Sequence, residues 1–170
     1  MPSHSDHFDG RRYFNPSGMN GQPTWRVPEL LITPRTRWPS QVPVEPRRPP
    51  VPGPHEVVVT FIGHATFLIQ SAECNVLIDP VYAQRASPVS FAGPRRARQP
   101  GVRFDDLAAI SLVLLSHNHY DHCDLETLRR LERRFHPLAV TPRGNGRLLR
   151  AAGFQIIEEL DWWQQSQSAP

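Results

Sequence analysis

Residues 116–124 read "SHNHYDHCD" and place His117, His119, His122, Asp121 and Asp124 within nine positions. Imidazole nitrogen and carboxylate oxygen are the donors that suit zinc, and also iron or manganese. The chemistry open to such a set is metal binding and, through it, metal-assisted catalysis. Positions 117 and 119 are two apart, a spacing that splits side chains around a helix but puts them on one side of an extended segment. The pair therefore belongs to a strand end or a loop, unlike the i, i+4 histidines of helical zinc sites. Asp121 and His122 follow directly, so the candidate metal ligands are His117, His119, Asp121 and His122. The isolated histidines His4, His7, His55 and His136 are read as ordinary polar residues.

The elements around the cluster must hold it in place. Directly before it, "AISLVLLS" (109–116) is apolar at successive positions, which predicts a strand buried on both faces with helices packed over it. Directly after it, "DLETLRRLERRF" (124–135) spaces Leu125, Leu128, Leu131 and Phe135 three or four apart, which predicts a helix. Asp124 suits its N-cap, and Glu126 lies in the first turn at the positive end of the helix. The four ligands thus occupy a strand-to-helix loop at the carboxyl end of a strand, where open α/β sheets place their sites.

Three earlier runs, "EVVVTFIG" (56–63), "ATFLIQ" (65–70) and "NVLID" (75–79), predict antiparallel neighbouring strands. A long loop follows, in which Pro80, Pro88, Pro94 and Pro100 exclude regular structure. After the central helix come a strand at "LAVTP", a turn at "RGNG", a helix "RLLRAAG" ending at Gly153 and a strand at "FQIIEEL". Strands first, then strand and helix in alternation, make an α/β layered domain. Most of the 19 prolines fall before position 55, so residues 1–54 read as a Pro-rich extended arm, with Trp25, Leu30, Leu31, Ile32 and Trp38 able to pack. Residues 55–164 form the domain, and 165–170 read as a disordered polar tail.

All 19 basic residues are arginine, and the net charge is only +3. No basic blocks alternate with aromatics, which argues against nucleic acid as a partner. With Cys74 and Cys123 as the only cysteines, no disulfide framework exists, and a reducing cytoplasm is the expected compartment. No apolar run approaches the roughly 20 residues of a membrane span.

The pattern H-x-H-x-D-H in "LLSHNHYDHCDLETLRRL" resembles the signature of the metallo-β-lactamase superfamily. Together with "FIGHATFLIQ", "VLIDPVYAQRASPVSFAGPRR" and "ELDWW", it is similar to the branch of the N-acyl-phosphatidylethanolamine-hydrolysing phospholipase D and its bacterial relatives. The resemblance covers roughly residues 20–164. It implies the first half of an αββα sandwich, with zinc as one or two ions, iron or manganese being alternatives. His117 and His119 would bind the first metal, and Asp121 and His122 the second, Asp121 also being the candidate catalytic residue. Asp79 is either an acceptor that fixes the tautomer of a ligand histidine or a plain turn aspartate before Pro80, and both readings stay open. His64 in "GHAT" is read as a hydrogen-bonded structural histidine.

The family completes its site with further histidine and aspartate ligands, and after His136 this sequence has no histidine. The chain is thus expected to be an N-terminal half with two protein ligands per metal, binding zinc weakly and acting slowly or not at all alone. The uncovered sheet is expected to favour self-association. The activity implied is hydrolysis of a lipid or small phosphodiester, with contact at the inner membrane face; a non-catalytic metal-binding module is the alternative.

Overall fold

The computed structural model describes residues 7–11, 13–18 and 39–166. Residues 7–18 belong to a separate small unit, where the Phe14 amide donates to the His7 carbonyl at 2.8 Å. Trp25, Leu30, Leu31, Ile32, Trp38 and the end of the tail, 167–170, lie outside the described residues.

In the second unit, β1 (Val58–Gly63), β2 (Thr66–Gln70) and β3 (Asn75–Ile78) pair antiparallel. Their Val, Ile, Phe and Thr residues fit a pleated, half-buried surface. β4 (Leu112–Leu114), β5 (Leu138–Pro142) and β6 (Ile157–Leu160) continue the sheet parallel to β3. Helix α1 (Leu125–Phe135) joins β4 to β5, and α2 (Gly146–Ala151) joins β5 to β6. Gly153 ends the second crossover with φ 102°, a conformation that side chains with a Cβ resist.

Spatial strand order equals chain order, β1 to β6. Right-handed crossovers that always step in the same direction put their helices on the same side of a sheet. The packing agrees: Leu68, Leu77, Val113 and Ala139 of the strands are fully buried with Leu128 and Leu131 of α1 and Leu149 of α2 in one core.

The expectation for residues 109–116 is corrected in two respects. Only Leu112–Leu114 pair as a strand, and only one face is closed, since Val113 and Leu115 are buried while Leu112 and Leu114 are half-buried. The physical reason is the single helix layer. The opposite face is nevertheless apolar in two full rows: Phe61, Phe67, Ile78, Leu114 and Val140 stand side by side, as do Val59, Ile69, Val76, Leu112 and Leu138. Phe61 is 43 % exposed and Val59 61 %. Apolar side chains on both faces of β4 thus match a strand meant for two layers, of which the described residues supply one.

Within the Pro-rich stretch, residues 39–54 contain neither helix nor strand. They lie along the long loop, with the Val42 amide donating to the Ala97 carbonyl at 2.7 Å and the Arg47 amide to the Gly101 carbonyl at 2.9 Å. Asp124 caps α1 as its sequence position predicts, one oxygen accepting from the amides of Glu126 and Thr127 at 3.1 and 3.2 Å. Its other oxygen accepts from the amides of Tyr82 and Ala83 at 3.1 and 2.8 Å, so one carboxylate ties the start of the helix to the chain leaving β3. No helix among the described residues is long and apolar enough to cross a membrane.

An apolar sheet face that no helix of the described residues covers favours association. Sedimentation velocity at rising concentration should show reversible growth beyond the monomer, and Phe61→Lys with Ile69→Lys should shift the population back; a concentration-independent monomer for the unaltered chain contradicts this.

Candidate metal centre

The centre forms where three strand ends converge. β1 ends in Gly63 and His64, β3 in Asp79, and β4 leads into Ser116 and the histidine loop. His64 and Asp79 both have left-handed backbone, φ 53° and 40°, which costs an L-residue about 1 kcal/mol or more each. Such strain persists only where surrounding bonds hold it. At Asp79 they do: its amide donates to the Leu114 carbonyl at 2.9 Å, and its carbonyl accepts from the Thr66 hydroxyl at 2.7 Å.

The Asp79 side chain, 4 % exposed, is the hub of the loop. Oδ1 accepts from the Ser116 amide at 2.7 Å, and Oδ2 from the Ser116 hydroxyl at 2.7 Å. Oδ2 also lies 2.7 Å from His122 Nδ1. An ionised carboxylate only accepts, so His122 carries its proton on Nδ1 and presents a bare Nε2. The Ser116 oxygen is in turn 2.9 Å from His117 Nδ1. Having given its one proton to Asp79, that hydroxyl accepts from His117, which presents Nε2 in the same way. Asp79 is therefore seen as an acceptor for the candidate ligand His122, and not as a solvent-facing turn residue.

The candidate residues lie close together. The His117 and His122 ring centroids are 4.0 Å apart, and those of His117 and His119 are 4.6 Å apart. His122 Nε2 is 3.8 Å from Asp121 Oδ2. His64, to which sequence reasoning assigned only a structural hydrogen bond, donates from Nε2 to that same Oδ2 at 3.0 Å, and its ring sits 5.3 Å from that of His122. Donor atoms of His64, Asp121 and His122 all lie within 4.8 Å of one another. Metal–ligand bonds of about 2.1 Å can close spans of this size with small side-chain rotations. The donor set fits a zinc, iron or manganese ion. The hydrogen bond expected of His64 is present, with Asp121 as its partner; its closeness to the other donor atoms had no local sequence signal, because the β1–β2 turn brings it there.

The charges suit the role. Burial, with the neighbouring rings of His122 and His119, holds the His117 imidazole below its ordinary value and so keeps it neutral, the form a metal needs. Burial alone would raise the Asp121 carboxyl, but its own backbone N–H, His122 and His64 outweigh that and hold it below the usual carboxylate range. Beside the cluster opens a cavity of about 920 Å³, lined by His64, His119 and Asp121 and also by Arg95, Arg96 and Arg98.

Comparison with known proteins gives a family match, the Beta-lactamase superfamily domain, over residues 74–169. The chain is 35% identical over 114 residues to N-acyl-phosphatidylethanolamine-hydrolyzing phospholipase D 1 of Caenorhabditis elegans, a match covering 64% of this chain and 32% of that protein. It is 38% identical over 113 residues to an uncharacterized protein of Mycobacterium tuberculosis, covering 65% and 30%. Among solved structures, CmlA, a diiron β-hydroxylase from Streptomyces venezuelae, matches at 30% identity with a TM-score of 0.47, covering 65% of this chain and 22% of that one. The chain thus spans about a third of the length of these curated relatives.

Removing a hydrogen-bond acceptor behind a ligand histidine weakens metal binding about 10–100-fold. Asp79→Ala should lose zinc affinity by that factor in a chelator-competition titration, with helix content unchanged by circular dichroism; equal affinity in the two proteins would remove Asp79 from the site. Zinc affinity should fall on acidification, as protons compete with the metal for imidazole nitrogen. The lowered value of His117 delays its own protonation to more acid pH. Affinity that rose on acidification would contradict imidazole ligation.

Proposed function

Because the chain belongs to the metallo-β-lactamase superfamily, we propose that it carries the histidine-loop part of a metal-dependent hydrolase acting on phosphodiesters, of a lipid or of a small molecule. One observation supports this most: the Asp79 carboxylate engages Nδ1 of His122 directly and Nδ1 of His117 through the Ser116 hydroxyl, leaving Nε2 of each ring for a metal, with that of His122 3.8 Å from Asp121 Oδ2. Residues serving only as a polar loop would not require a buried carboxylate devoted to their orientation.

His117, His119, Asp121 and His122 would hold the metal, zinc being the leading choice for this donor set. When bound, such an ion supplies a hydroxide at neutral pH and neutralises charge developing on phosphoryl oxygens. The chain's own groups position the substrate and the water. Asp121, ionised well into the acid range, can accept a hydrogen bond from the attacking water, and His64 holds its Oδ2 in place. Four loop ligands shared between two ions leave each short of the three protein ligands a catalytic zinc keeps. Completion by further donors, brought by a second copy or by another segment seated on the open sheet face, belongs to the proposal. A lipid substrate would be met at a membrane surface.

A second reading, a metal-binding module without turnover, is favoured by the exposure of His64 and Asp121, whose side chains are 57 % and 44 % accessible. Hydrolysis of bis(4-nitrophenyl) phosphate and of N-acyl-phosphatidylethanolamine vesicles after zinc loading separates the two. Turnover abolished by chelator and reduced at least 100-fold by His119→Ala is expected of the hydrolase. Zinc uptake with no turnover on either substrate would leave the binding module.

A further inference from the structure

The cavity beside the histidine loop has a second wall unlike the first. Residues 94–98, Pro-Arg-Arg-Ala-Arg, line it together with residues of the metal-ligating loop and of the chain leaving β3. All four arginines of α1 pair with a carboxylate of Glu126 or Asp105. Arg95, Arg96 and Arg98 all line the cavity and make no close ion pair with a carboxylate of the described residues, Asp124 acting on Arg96 only at longer range.

Their settings differ in an informative way. Arg96 is fixed by the protein: Nη2 donates to the Val81 carbonyl at 2.6 Å and Nε to the Ala83 carbonyl at 3.2 Å. That leaves Nη1, which sits where a Cβ on Gly63 would come within 3.2 Å of it. Glycine at 63, with φ 157°, thus lets a guanidinium approach the backbone that leads into His64. Arg98 lies over the Phe61 ring, 5.0 Å from its centroid, and its Nε is buried with no acceptor among the described residues. Arg95 is exposed and rests on the backbone bridge to Arg85. A buried donor without an acceptor is unfavourable until something accepts from it. Against three cations, the acidic group lining the cavity is Asp121, already bonded to His64. Val81, Ala83, Ala86 and Ala97 supply an apolar floor between the two walls.

We propose that Arg95 and Arg98, braced by Arg96, form an anion-recognition wall that selects substrates carrying a phosphate charge next to an apolar group. Guanidinium forks match the paired oxygens of phosphate, and a fixed Arg96 gives the loop a defined position from which the other two can reach. As the specificity determinant of the active site, this wall rests on the hydrolase reading above. As an anion site it stands apart from that reading, because none of its contacts requires a metal.

Calorimetric titration in chelator at low ionic strength tests it, with inorganic phosphate, then dimethyl phosphate, then phosphatidylglycerol vesicles as probes. The intact chain should bind at least one of them, and the Arg95→Ala, Arg98→Ala double variant should bind it at least tenfold more weakly. Binding of dimethyl phosphate marks a soluble source and binding of vesicles alone a lipid headgroup; either supports the wall when it depends on the two arginines. Arg133→Ala removes a charge from the far side of α1 and should leave binding unchanged. Arg95→Ala by itself, at an exposed position, keeps the test open if the double variant misfolds, and should weaken binding at least threefold. No binding by the intact chain, equal binding by the arginine variants, or an equal loss in Arg133→Ala would overturn the proposal. Because metal is absent throughout, failure here leaves zinc-dependent hydrolysis untouched, and failure of hydrolysis leaves this result standing.

Discussion

The buried carboxylate of Asp79 is the constraint on which the rest of the centre depends. It follows β3 in a left-handed turn and accepts hydrogen bonds from the amide and hydroxyl of Ser116, past the end of β4, and from Nδ1–H of His122. Three elements distant in sequence are thus joined through one side chain. A buried charge is tolerable only when its hydrogen-bonding capacity is used, and here each oxygen has a donor. The same bonds that make the carboxylate stable inside the protein make the imidazoles face outward with bare nitrogens. Folding and ligand geometry are therefore set by one interaction.

Strand order explains where this interaction can occur and what it leaves open. With β1 to β6 side by side in chain order, each crossover returns on the same face, and the helices α1 and α2 cover only that face. The loops at the carboxyl ends of β3 and β4 then lie side by side, which is why Asp79 and Ser116 meet. On the opposite face no helix of the described residues packs, and Phe61 and Val59 stay exposed. A site at one end of the sheet, beside an apolar face ready for a second layer, is an arrangement that further donors can complete without disturbing the first set.

Much of this was legible in the residues. The 3.6-residue period of Leu125, Leu128 and Leu131 and the cap at Asp124 located α1, because helix signals are local in sequence. The H-x-H-x-D-H spacing marked the loop, since histidines two apart share a side only in extended chain. What local pattern could not carry was pairing across distance. Asp79 as a hub and Asp121 as partner to His64 are contacts 43 and 57 residues apart. The half-covered state of β4 was also hidden, because apolar residues on both faces say what a strand can bury and not what this chain places there. The arginines at residues 95–98 could be read in the sequence either as phosphate contacts or as a solvated patch, and only the fold places them on the same cavity as His64 and His119.

The tautomer of His122 tests the central claim most directly. Long-range nitrogen–proton correlation on the uniformly labelled, metal-free chain near pH 8 resolves both ring nitrogens of each histidine. His122 should show a protonated Nδ1 and a bare Nε2, with an exchange-protected ring proton that disappears in Asp79→Ala. A His122 carrying its proton on Nε2, or a ring averaging between the two forms as in free imidazole, would show that the carboxylate does not orient the loop.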